Sequence, residues 1–117
     1  MKLAVRNEHL VVVLLESMPL GVEFEDWPLH ITLVPWFPCG DEGRLDKVLQ
    51  GVAANNHKLQ VTVGERVMFG PRKDIPVNLL TNDGDLYRLH WDVFRTLETN
   101  GFPIHQKTHL GQNYRAH

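Results

Sequence analysis

His30 and Thr32 are the residues whose types and spacing point most directly to chemistry. On a β-strand, residues two apart share a face with Cα atoms about 6.5–7 Å apart, so an imidazole and a hydroxyl at this spacing converge on one small group. Histidine takes up and releases a proton near neutral pH, and a threonine hydroxyl donates to an anionic oxygen. Such a pair suits proton transfer beside a phosphate. The same spacing also arises on any half-exposed strand that carries a histidine and a β-favouring threonine, so the tripeptide alone does not decide.

The chain ends on another histidine, His117, within Tyr114-Arg115-Ala116-His117. In extended chain Arg115 lies on the same side as His117, where it either contacts phosphate or is solvated. Trp27 precedes the His30 pair, and Trp36 and Phe37 follow it. Aromatic faces beside a phosphate site stack a base. With so few aromatic residues, at least one of these rings is needed in the core.

Other histidines carry weaker signals. His105 and His109 are four apart and have metal-ligand spacing if helical, with His117 as a third ligand. Pro103, Gly111 and the lack of apolar periodicity favour a polar loop there, so no metal site is assigned. His90 falls on the apolar stripe of a helix and reads as a satisfied core histidine, while His9 and His57 stand at element ends and read as solvated. Cys39 is the sole cysteine, which excludes an intramolecular disulfide and a cysteine-rich zinc site. Pro71-Arg72-Lys73-Asp74 is an ordinary charged turn. No phosphate-cradling glycine-rich loop, dinucleotide fingerprint or nucleophile-elbow sequence is present.

The elements that would position these residues follow from periodicity. Residues 10–16 read as a buried strand and residues 29–34 as a second, with Leu29, Ile31 and Leu33 on one face and His30, Thr32 and Val34 on the other. From Asp41, read as the N-cap, the residues Leu45, Val48, Leu49, Val52 and Ala53 form one helical stripe that stops at Asn55-Asn56. Strands are expected over 58–69 and 76–81. A second helix opens after Asn82-Asp83, buries Leu86, Leu89, His90, Val93, Phe94 and Leu97, and ends at Asn100-Gly101. Residues 102–113 read as polar loop, and 114–117 as the start of one more strand. The expected order is β-β-α-β-β-α-(β), an α+β domain with antiparallel sheet and two helices.

With 117 residues, 43% hydrophobic and 22% charged, residues 1–117 make one domain. The formal net charge of −2 gives no broad basic surface for duplex DNA, so any anion site is local. The apolar run Leu10–Leu15 is far too short to span a membrane, and no small-residue cleavage site follows it. The expectation is a cytoplasmic protein with no membrane partner.

Taken together, the H-x-T sequence Leu29-His30-Ile31-Thr32-Leu33, the element order and the closing Tyr114-Arg115-Ala116-His117 resemble the two-histidine (2H) phosphoesterase superfamily, in its 2′-5′ RNA ligase-like branch. The resemblance implies a pseudo-symmetric, two-lobed α+β fold with an H-x-[ST] motif in each half, facing each other across a cleft. His30 and Thr32 match the first motif in full; His117 matches the opening residue of the second. The chain is thus expected to be C-terminally truncated relative to that fold, lacking its closing strands. The implied activity is metal-independent hydrolysis of 2′,3′-cyclic phosphates or 2′-5′ phosphodiester bonds of nucleotides or RNA ends. It needs no cofactor. His30 and His117 would be the acid and base, and Thr32, Arg115 and Trp36 would contact substrate. Two alternatives stay open: a non-catalytic nucleotide- or RNA-end-binding domain, and a metal protein using His105, His109 and His117. An unpaired strand edge invites a dimer.

Overall fold

The structure, a computed structural model, describes residues 8–56, 59–104 and 110–117. Its elements are β1 (Glu8–Leu14), β2 (His30–Pro38), α1 (Glu42–Ala54), β3 (Thr62–Phe69), β4 (Ile75–Thr81), α2 (Gly84–Thr99) and a short 3₁₀ turn over Gly111–Asn113. β1 pairs antiparallel with β2, and β3 with β4, giving two separate two-stranded sheets beside two helices. The architecture is α+β, in the expected order. His57, His105 and His109 lie outside the described residues; of the strand expected over 58–69, residue 58 lies outside them too and residues 59–61 are not strand, so β3 begins at Thr62.

The core forms where α2 meets β2 and α1. Leu86, Leu89, His90, Val93, Phe94 and Leu97 are all buried on one face of α2, as its period requires. They pack with Ile31, Leu33, Val34 and Phe37 of β2, with Leu45 and Val52 of α1, and with Phe102, Ile104, Leu110 and Ala116. Helix α2 ends in a Schellman arrangement: Phe102 N–H donates to Leu97 C=O at 3.0 Å, and Gly101 N–H to Glu98 C=O at 3.0 Å, with Gly101 at φ +82. Asn100 and Asn56 close their helices in the same way, each side-chain amide donating at 2.7 Å to a carbonyl four residues back.

At the start of α1, Asp41 Oδ1 accepts from Arg44 N–H at 3.0 Å, an N-cap on an exposed face. Asp41→Ala is expected to destabilise the protein by about 0.5–2 kcal/mol. Urea unfolding measures it; an unchanged midpoint would show that the cap contributes nothing.

Three other strand expectations need correction. β1 comprises Glu8–Leu14 rather than 10–16: Glu8 already pairs with Pro38, and the pairing closes with the bond from Leu15 N–H to Leu29 C=O at 3.2 Å. β2 continues through Pro35 to Pro38, and Val34 is buried with Ile31 rather than sharing the polar face. Both effects have one cause. The β1–β2 register slips between His9↔Phe37 and Val11↔Val34, and again between Val11↔Val34 and Val12↔Thr32. The first bulge holds Pro35 and Trp36, so the missing proline N–H breaks no ladder bond; the second leaves Leu33 unpaired and turns Val34 inward. Residues 114–117 form no strand. They are extended at Tyr114, and Ala116 C=O accepts from Leu80 N–H of β4 at 3.1 Å.

Among the described residues, no helix is long and apolar enough to cross a membrane.

Candidate functional site

His30 is the first residue of β2 and half-buried. Its Nδ1–H donates to Pro28 C=O at 2.8 Å. A carbonyl only accepts, so Nδ1 carries the proton and Nε2 is the nitrogen left to act. The Trp27 ring lies 5.0 Å from the imidazole, meets Trp36 edge-on at 6.2 Å and Phe24 at 5.2 Å. Trp27 is 51% exposed and Trp36 43% exposed, so aromatic surface faces solvent beside His30 while Phe37 is buried in the core.

Thr32 shares the outer face with His30, since both pair with β1 residues, Val12 and Leu14, that are two apart. The Leu15–Leu29 bond places His30 and Thr32 at non-hydrogen-bonded positions of the ladder, so their backbone groups point away from β1. The Thr32 carbonyl uses that freedom: it accepts from Tyr114 O–H at 2.8 Å.

His117 repeats the His30 arrangement. Its Nδ1–H donates to Arg115 C=O at 2.8 Å, again two residues back, and again Nε2 is left to act. The Phe69 ring of β3 meets the imidazole edge-on at 4.5 Å, and the Arg115 guanidinium lies 5.6 Å over the same ring. Arg115 and His117 therefore sit on one side, against one aromatic. Among the described residues, His30 and His117 make no hydrogen bond or ring contact with each other; their segments are joined by the Tyr114–Thr32 bond.

Comparison with known protein families, with characterised proteins and with solved structures finds no match.

Two further residues shape the region. His90 is completely buried, with Nδ1–H donating to Leu33 C=O at 2.6 Å and Nε2 accepting from Gly111 N–H at 2.9 Å. Burial lowers its pKa, and the bond to the Leu33 carbonyl opposes that shift. Tyr114 stacks on it, ring centres 4.0 Å apart and planes 4° from parallel. Burial raises the Tyr114 pKa, and the charge of Asp83 raises it further, so the phenol stays a donor. Sequence periodicity placed His90 in the core, but nothing in the pattern pointed to its partners, 57 and 21 residues away. Tyr114 was visible only as the aromatic residue before Arg115.

Of the residues named for a metal, only His117 is described. Among the described residues no group of three or more His, Cys, Asp or Glu side chains assembles to hold an ion.

Proposed function

We propose that the chain is a metal-independent phosphodiesterase of the two-histidine type, hydrolysing 2′,3′-cyclic phosphate or 2′-5′ phosphodiester bonds of nucleotides or RNA ends. The observation that carries the reading is the matched pair of imidazoles. Each is fixed by an Nδ1–H bond to the carbonyl two residues before it and each keeps Nε2 for proton transfer. They border different sheets, His30 in β2 and His117 against Phe69 of β3, which supports a reading in which each lobe contributes one histidine.

In this mechanism one neutral Nε2 accepts a proton from water as the water oxygen bonds to phosphorus. The bond from phosphorus to the ribose 2′ or 3′ oxygen breaks, and the opposite imidazolium gives that oxygen a proton. Each transfer contributes about 10²–10⁴-fold. Thr32 donates to a non-bridging oxygen, Arg115 offsets the charge that develops there, and Trp36 with Trp27 stacks the base.

The test is incubation with 2′,3′-cyclic nucleotides and 2′-5′ dinucleotides, with and without chelator. Turnover undiminished by chelator is expected. Binding without turnover would instead assign a non-catalytic nucleotide-binding domain, and turnover abolished by chelator would point to a metal enzyme.

A further inference from the structure

We propose that His90 and Tyr114 are positioning residues: together they form a bracket that sets the segment bearing His117 against the strand bearing His30 and Thr32. This rests on the two-histidine reading for its consequence in catalysis, but the bracket is observable without it.

The bracket begins in the β2 bulge. Leu33 has no cross-strand partner, because the register slips between Val11↔Val34 and Val12↔Thr32. In a regular strand, consecutive carbonyls point to opposite edges. Here the carbonyls of Thr32 and Leu33 are taken by two rings that lie flat on each other, Tyr114 and His90, so the bulge presents both to the same side. His90 then reaches across to Gly111 N–H, three residues before Tyr114. Gly111 has φ +61, and a Cβ there would stand 2.9 Å from the Trp91 ring, so only glycine brings that N–H to His90 unstrained.

Both imidazole nitrogens and the phenol are thereby committed to backbone groups. Thr32 is two residues from His30, and Tyr114 three from His117. A leucine at 90 and a phenylalanine at 114 would fill the same space with no such direction. A fully satisfied buried polar network specifies one arrangement of the pieces it joins.

The test uses three variants of the full chain. Tyr114→Phe keeps the stack and removes the bond to Thr32. His90→Gln keeps an acceptor for Gly111 N–H, and His90→Asn keeps a donor for the Leu33 carbonyl. Ring ¹H–¹⁵N spectra of His30 and His117 are recorded alongside kcat and KM for uridine 2′,3′-cyclic phosphate. In Tyr114→Phe the fold is retained, the His117 ring signals shift or broaden, and kcat falls by up to about 10²-fold with KM little changed, as for a slightly misplaced catalytic group. His90→Gln, which preserves the Gly111 anchor, keeps His117 closer to its native signals than His90→Asn does. Native His117 signals in folded Tyr114→Phe overturn the bracket. If the unaltered protein turns over no nucleotide, the functional reading fails, while the ring spectra still decide the bracket.

Discussion

Alanine at His30 or at His117 is expected to reduce kcat on 2′,3′-cyclic nucleotides by about 10²–10⁴-fold in either case, with the fold intact. The two rings play matched parts, so neither loss should be much smaller than the other. Because both act in one step, the double variant should fall little further than the worse single one. Stability is expected to change modestly, since each ring gives up one hydrogen bond to a nearby carbonyl, worth about 0.5–1.5 kcal/mol. Steady-state kinetics with parallel thermal unfolding checks this. Full activity in both variants would remove the histidines from the chemistry, and an effect in one alone would break the symmetry on which the mechanism depends.

How much of this was legible in the sequence depended on the range of the interactions involved. Helix α2 was legible in full, because Leu86 to Leu97 repeat at helical period and Asn100-Gly101 supply a stop that works through bonds within five residues. The N-cap of α1 was legible for the same reason: Asp41 acts on Arg44. The strands were legible as elements but not in their details. Proline cannot donate to a ladder, so local pattern stops the second strand at Val34; Pro35 is tolerated because it falls in a bulge, and bulges depend on a partner strand whose register no local pattern reveals. Val34 went inward for that same reason, against strict alternation.

The site divides along the same line. His30 and Thr32 on a shared face follow from spacing alone, and the structure keeps them there. Arg115 and His117 also sit on a shared side, as extended chain requires, but the ring that receives them, Phe69, comes from β3. The anchoring of both imidazoles to carbonyls two residues back is local, yet the residue types do not encode it, since any backbone carbonyl serves. The Tyr114–Thr32 bond spans 82 residues and was wholly invisible to periodicity.

His90→Leu is expected to destabilise the protein strongly, and to flatten the acid limb of the stability profile. Leucine fits the apolar stripe of α2, yet it leaves Gly111 N–H and Leu33 C=O without their partner in a buried place. An orphaned buried group costs about 1–3 kcal/mol. Two of them outweigh the added apolar burial and remove a large part of a total of about 5–15 kcal/mol. The pH dependence follows from the bond directions. Nε2 accepts from Gly111 N–H, so protonation would set one N–H against another, and burial already holds the pKa below its ordinary value of 6.5. Between that ordinary value and the lowered folded one, the unfolded chain binds more protons than the folded protein. The stability contributed by neutral His90 is therefore complete above pH 6.5 and declines as pH falls, by up to about 1.4 kcal/mol per pH unit from this one site. Urea unfolding at several pH values between neutrality and mild acid reads the difference. The unaltered protein should lose more stability across that range than His90→Leu does. His90→Gln, which keeps an acceptor but cannot titrate, should share the flatter profile at a smaller cost. Parallel profiles for all three proteins would mean that the neutral imidazole is not what acid removes.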